Sequence, residues 1–234
     1  MFRLNKKFKS LIDFLLIHKP TLSLSFVTNG TLIDTEIIHK LKQFSSCDIE
    51  VSLESINKNN DYIRQGSNTT IILKNIDYLI AQQTDNFRIV LRSVPQLLNI
   101  NNYDQYIRYA WHNRVSIQGI PLMYPKHLQI SVLPKDLRFT FIKQYQLLQK
   151  ELDDNKPEFT TIVTGRNTKG LEQQLSRECQ SIIQMLLAEE PEDIDNLQKE
   201  LCQQLLKWDR EFNFDAREYY PEYQSFLEKI GYDI

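Results

Sequence analysis

Glu50, Glu54, Arg88 and Arg92 are the residues whose placement could do chemistry. They fall at alternate positions of two strand-like runs, DIEVSLE (48–54) and FRIVLRSV (87–94), on the side that also carries Ser52. Buried without partners, each ion would cost several kcal/mol. They must therefore pair, meet water or bind a charged ligand. Carboxylates accept from paired hydroxyls, and guanidiniums grip anions through two parallel donors. A network that merely satisfies itself is the structural alternative, although a fold with space to fill would use Val and Ile. A second feature is the turn Thr28-Asn29-Gly30, which ends the run LSLSFV just before Asp34 opens a helical pattern. Gly and Asn suit a turn with positive φ, and the carboxyl ends of strands are where α/β sheets place ligands.

Other chemistries find little support. The three cysteines, Cys47, Cys179 and Cys202, have no C-x-x-C spacing, which argues against a zinc site and a disulfide framework. They read as small core hydrophobes in a protein of the reducing cytoplasm. The four histidines, His18, His39, His112 and His127, show no metal-ligand spacing, so no metal site is expected. There is no phosphate-cradling glycine loop, no G-x-S-x-G elbow and no H-E-x-x-H. A net charge of -2 gives no basis for a nucleic-acid or membrane partner, and Lys6, Lys7 and Lys9 read as a solvated helix face. The apolar stretch at 11–17 is too short to span a membrane and lacks a cleavage site.

The elements that must position these residues alternate. Helical spacing marks 2–18, followed by a strand at 21–28, a helix at 34–44 and a strand at 48–54. A polar loop leads to a helix at 70–83, a strand at 87–94, a helix at 103–113 and a strand at 115–123. Such alternation with short returns predicts a parallel sheet of βαβ units. Each strand is apolar on one face (Leu24 and Phe26; Ile49, Val51 and Leu53; Ile89 and Leu91) and polar on the other. A sheet covered on both sides would be apolar on both. The expected geometry is a curved, barrel-like sheet with helices outside and a polar lumen. A helix at 135–152 follows, and Asp153-Asp154-Asn155-Lys156-Pro157 divides residues 1–153 from a mainly helical appendage, 157–234. Its aromatic tail should pack back on the barrel.

The segments TNGTLID, VSLES, DYIRQGSN and YPKHLQISVLP, in this order and spacing, resemble the core of radical S-adenosylmethionine enzymes, in particular members with a C-terminal twitch-like extension. The tail WDREFNFDAREYYPEYQSFLEKIGY is similar to theirs. The resemblance implies the latter four βα units of a partial (β/α) barrel. The family's C-x-x-x-C-x-x-C loop, which holds a [4Fe–4S] cluster, and its Gly-Gly-Glu segment would precede Met1, and neither occurs later. An iron–sulfur cluster needs converging thiolates, and the three cysteines do not offer them. The chain is thus expected to be a truncated relative, one half of a split enzyme or a remnant without catalysis.

By the same resemblance, Thr28, Asn29 and Gly30 would border the methionine moiety of S-adenosylmethionine, Ser52 and Glu54 would face its ribose, and Arg64 or Arg92 would meet its carboxylate. Asn29 reads equally well as a turn residue, and Arg64 as a partner of Asp61 or a helix cap. The parent reaction is reductive cleavage of the cofactor and hydrogen abstraction from a peptide or small molecule. The competing expectation is a non-catalytic binding protein using the polar lumen or the open edge at 21–28. That uncharged edge should pair with an N-terminal cluster-binding polypeptide or a second copy.

Overall fold

The structure is a computed structural model that describes residues 6–155 and 170–233. Helix α1 (Lys6–His18) leads to strand β1 (Ser23–Thr28), α2 (Thr35–Leu41), β2 (Ser46–Ser52), α3 (Asn59–Ile63), α4 (Thr69–Ala81), β3 (Phe87–Ser93), α5 (Tyr103–His112) and β4 (Ser116–Gly119). The four strands form one parallel sheet in the order β1-β2-β3-β4. Then come α6 (Lys135–Asp154), α7 (Leu171–Leu187), α8 (Ile194–Phe212), α9 (Ala216–Tyr219) and α10 (Gln224–Lys229). No helix among the described residues is long and apolar enough to cross a membrane. Positions 2–5 of the expected first helix and Lys156-Pro157 of the expected boundary lie outside the described residues.

The period of two holds across the sheet. Ile49, Val51, Leu53, Ile89, Leu91 and Ile117 are buried in the core against the helices. Ser23, Ser25, Arg88 and Gln118, on the other face, are exposed. A residue at i and one at i+2 share a face, so Ser52, Glu50 and Arg92 lie on that open side. Val27 also lies there, 53% exposed. Because this face meets water and not a second layer of helices, its ions are not stranded.

Element ends differ from the sequence expectation for local reasons. Strand β2 starts at Ser46 because the Cys47 N–H already reaches the Asn86 carbonyl at 2.7 Å, and it leaves the ladder at Glu54, whose N–H is taken by Asn60 Oδ1 at 2.9 Å. Strand β4 is shorter than expected: its last bond to β3 runs from the Ile120 N–H to the Ser93 carbonyl. The loop expected between 55 and 69 holds α3, one turn that has no apolar periodicity to announce it. Helices α2 and α4 begin where Asp34 and Asn68 accept the N–H groups of Ile37 and Ile71.

The C-terminal helices pack onto the sheet end of the molecule. Helix α7 lies along α6, where Ser176 donates to Asp153 at 3.1 Å, and reaches β4, where Gln174 donates to the Ile117 carbonyl at 3.0 Å. The aromatic tail closes on α3. Tyr62 contacts the rings of Trp208, Phe214, Tyr219 and Tyr220, with centroids 4.8–6.1 Å apart. Lys58 donates to the Glu218 carbonyl at 2.6 Å, and the Tyr223 hydroxyl to that of Leu97 at 2.7 Å.

The outer edge of β1 can be read from the ladder. A parallel strand sends the backbone groups of alternate residues to one neighbour and those between to the other. Cys47 and Leu53 donate to the β3 side, so odd-numbered residues of β2 serve β3 and even-numbered ones serve β1. With Phe26 opposite Ile49 and Thr28 opposite Val51, the even-numbered residues of β1 complete that ladder. Ser23, Ser25 and Val27 therefore direct their backbone groups outward, and these meet no partner among the described residues.

Among the described residues, Gly30 is the one glycine whose backbone the fold constrains twice. Its φ is +71°, and a Cβ there would lie 2.9 Å from Val51 Cγ1 and 3.2 Å from Ile72 Cγ2. Gly30→Ala is expected to lower stability by about 1–3 kcal/mol through strain and overpacking. Urea unfolding of the variant measures this, and an unchanged midpoint would show that the turn relaxes freely.

Candidate functional site

The carboxyl ends of β1, β2 and β3 form a polar rim. Its centre is Glu54, two residues past β2 and only 5% exposed. Glu54 Oε1 accepts from Arg64 Nη1 at 3.1 Å, and Oε2 accepts from the Ser93 hydroxyl at 3.1 Å and the Val94 N–H at 2.8 Å. The backbone around it is fixed by two asparagines. Asn60 takes the Glu54 N–H and donates to Thr69 Oγ1 at 3.0 Å, while Asn99 donates to the Glu54 and Val94 carbonyls, each at 3.1 Å.

Arg64 ends α3 and pairs with Glu54 rather than with Asp61. Asp61 instead accepts from Ser67 and from the N–H and hydroxyl of Thr69, at 2.7–2.8 Å. Farther from the rim, Arg92 Nη1 donates to Glu50 Oε2 at 2.7 Å, and Ser25 donates to Glu50 Oε1 at 3.3 Å. Ser52 stands opposite Arg92 in register. Arg88 is bidentate to Asp48 at 2.7 and 3.0 Å. Each ion of the sequence pattern thus has a carboxylate or guanidinium partner.

The Thr28-Asn29-Gly30 turn lies at the same end of the sheet, but its polar groups serve the turn. Thr28 Oγ1 accepts the Gly30 N–H at 3.2 Å, Asn29 Oδ1 accepts the Thr31 N–H at 3.3 Å and the Thr31 hydroxyl at 2.9 Å, and Asn75 donates to the Gly30 carbonyl at 2.8 Å. The cavity beside Thr28 and Gly30 measures about 20 Å³, lined otherwise by Ile37, Ile49, Leu79 and neighbours. That holds at most a water.

The arrangement leaves donors on the open side. The Glu54 oxygens are occupied by protein donors and shielded, so Glu54 holds Arg64 in place. Arg64 and Arg92 have side chains 32% and 34% exposed, and each spends one amino group on its carboxylate. A guanidinium has five donors, so both retain N–H groups for an anion arriving from solvent. The Ser52 hydroxyl lies on the same face.

Sequence reasoning missed a second acidic group at this end. Glu178 of α7 lies against Gly119: a Cβ on that glycine would fall 1.9 Å from Glu178 Oε1. The Tyr103 hydroxyl donates to the same oxygen at 3.1 Å. Burial pushes the Glu178 carboxyl up from the ordinary carboxylate range, with Tyr103 acting against the shift. Tyr106, stacked on Tyr103 with ring centroids 5.0 Å apart, is fully buried, and its hydroxyl has no partner among the described residues. Burial and then the charges of Glu54 and Glu178 drive that phenol well above its usual value. Nothing in the helical spacing of Tyr103 and Tyr106 distinguishes them from ordinary core aromatics. Only Gly119, a small residue at a strand end, hinted at a close approach.

An iron–sulfur cluster does not fit the thiols present. Cys47, Cys179 and Cys202 are 0%, 0% and 7% exposed, on β2, α7 and α8. Burial pushes the Cys47 and Cys179 thiols up to about 12, which favours the protonated form over the thiolate that ligates iron. Among the described residues no group of three or more His, Cys, Asp or Glu side chains could hold a metal ion. No family model, curated protein or solved structure matches this chain.

Two outcomes check this description. Glu54→Ala is expected to cost about 2–4 kcal/mol, because it strands the Ser93 and Val94 donors as well as Arg64. Arg64→Ala, which removes a part-exposed partner, should cost about 1 kcal/mol or less. Chemical denaturation orders the two, and equal losses would show that Glu54 does nothing beyond the ion pair. Glu178 has the opposite pH behaviour to a paired carboxylate. Its folded value lies above its unfolded one, so the folded state binds the proton more tightly, and stability falls as pH rises from about 4.5 through the raised value. Glu178→Gln should therefore flatten the stability profile within that window, as read by thermal unfolding between acid and neutral pH.

Proposed function

We propose that the chain binds S-adenosylmethionine on the open polar face of its sheet, as the latter part of a radical S-adenosylmethionine-type barrel whose cluster ligands come from another polypeptide segment. The observation that carries this reading is the one-sided sheet. Four parallel strands follow in sequential order, with helices on the apolar face and a row of Ser, Glu and Arg side chains left open. Sequential order is what a barrel wall needs, whereas a doubly wound sheet reverses direction at its switch point.

In this reading the spare donors of Arg92, or those of Arg64, take the amino-acid carboxylate, and the Ser52 hydroxyl meets the ribose. Glu54 positions Arg64 and fixes the rim, and Glu50 orients Arg92. The turn at Thr28, Asn29 and Gly30 supplies a backbone border. The bound cofactor would supply the 5′-deoxyadenosyl group of the family's chemistry. With no thiolate site in this chain to hold a cluster, no catalytic step is assigned to its residues.

A second reading has its own observation. Glu50–Arg92, Asp48–Arg88 and Glu54–Arg64 are mutually satisfied, which is what a binding or interaction protein without catalysis would also contain.

Calorimetric titration with S-adenosylmethionine separates the two. Saturable binding in the millimolar range or tighter is expected, with Arg92→Ala weakening it about tenfold for the loss of one charged contact. Absence of any saturable heat, or binding indifferent to both Arg92→Ala and Arg64→Ala, leaves the second reading standing and removes the first.

A further inference from the structure

The outer edge of β1 and the flank of α1 beside it form one surface. Ser23, Ser25 and Val27 present an unpaired backbone row, and the strand carries no charge and no proline. Beneath it on the apolar face, α1 is anchored by Ile12, 0% exposed, and by Phe8, whose ring meets that of Phe26 at 5.7 Å. One flank of α1 is tied to α2 and its cap: Lys9 pairs with Asp34 at 2.8 Å and Glu36 at 3.2 Å, and Asp13 with Lys40 at 2.6 Å. Since α2 is the crossover from β1 to β2, that flank points inward along the sheet. At about 100° per residue, Leu11 and Phe14 fall on the opposite flank, outward past the strand edge. They are 50% and 56% exposed, and Ile17, farther round, is 75% exposed.

We propose that this surface is an isologous dimer interface, in which β1 pairs antiparallel with β1 of a second copy across a two-fold axis through Ser25. Several features favour a copy of the same chain. The outward backbone groups are spaced symmetrically about Ser25, so Ser25 faces its own counterpart and Ser23 faces Val27. Each of these pairs exchanges both backbone bonds, giving about six in all. The same axis, normal to the sheet, keeps both polar faces on one side and brings both α1 helices together on the other. The contact of Phe8 with Phe26, at 1.5 Å of rise per helical residue against about 3.4 Å per strand residue, sets Leu11 near the level of Ser25. Leu11 and Phe14 therefore meet their own counterparts close to the axis. Lys9, Asp13, Asp34, Glu36 and Lys40 are already paired within the chain, and the exposed Lys7 lies one helical turn from Leu11, so a two-fold axis near Leu11 holds the two Lys7 side chains apart. The interface satisfies the strand's free N–H and C=O groups and covers a contiguous apolar stripe in one step.

The proposal concerns the chain by itself, since a cluster-bearing segment that completed the barrel would need the same edge, and it predicts a register that crosslinking can read. In the paired sheet the two Ser25 Cα atoms lie about 5.5 Å apart, within disulfide range, whereas the two Ser23 Cα atoms are roughly 14 Å apart. With Cys47, Cys179 and Cys202 all buried, mild oxidation of the full chain should crosslink Ser25→Cys and leave Ser23→Cys monomeric on a denaturing gel. Sedimentation of the unmodified chain at micromolar concentration should show a dimer. Phe14→Asp, an exposed change that leaves the circular dichroism intact, should weaken it at least tenfold, and Ser25→Pro should weaken it further. A monomer at every concentration overturns the proposal. So does a dimer in which Ser23→Cys crosslinks as readily as Ser25→Cys, or one indifferent to Phe14→Asp. A chain that pairs only after a different polypeptide is added shows that the edge takes a foreign strand, and equally refutes the two-fold arrangement.

Discussion

The Glu54 carboxylate ties together parts of the chain that nothing else holds at the same place. It accepts from the β3 exit through Ser93 and Val94, and from the end of α3 through Arg64. Its own backbone is clasped by Asn60 and Asn99. A carboxylate this shielded survives only with several donors, because desolvation of the ion outweighs any single contact. The rim is thus arranged around its acceptor needs. Arg64 then keeps a defined position with donors to spare, although it projects from a helix of one turn that would be marginal alone.

Helix α3 needs a second support, and the aromatic tail supplies it. Tyr62 is buried among Trp208, Phe214, Tyr219 and Tyr220, and Lys58 reaches over the Tyr219 ring, 4.9 Å from its centroid. These aromatic residues therefore stabilise the loop that carries Arg64, far earlier in the sequence. Asp209 reinforces the tail, accepting from the Tyr232 hydroxyl and, at 3.2 Å, from the Ala216 N–H. Ligand contacts at the rim and packing in the C-terminal helices belong to one cooperative arrangement.

How far this was legible depended on whether a residue's role was periodic. The strands and their faces followed from the alternation of Ile49, Val51 and Leu53 with Glu50, Ser52 and Glu54, since a slip of one residue would invert every side chain. The parallel order followed from alternating elements. Which ion meets which was not legible: Arg64 as a partner of Glu54 depends on the path of a loop with no repeat, and Asp61, its nearer neighbour in sequence, is taken by Ser67 and Thr69. Nor could spacing show that Glu178 would settle against Gly119, because that contact joins elements 59 positions apart. Periodic burial is written locally, whereas polar satisfaction is solved only after the backbone has closed.

The one-sided sheet ties the open face to the open edge. A parallel sheet gains its stability mainly by burying both faces, and this one buries only the face toward its helices, so much of its stabilisation rests on the apolar layer of Ile49, Val51, Leu53, Ile89 and Leu91. The polar face can remain in water because Glu50–Arg92 and Asp48–Arg88 are short cross-strand pairs, which also oppose a slip in register. The edge has no comparable device: Ser23 and Ser25 are small and uncharged, and Val27 is apolar. Charges have been placed where they orient donors on the face and are absent where they would block pairing at the edge. That distribution is the physical reason to treat the face as a surface for small polar ligands and the edge as a surface for another strand.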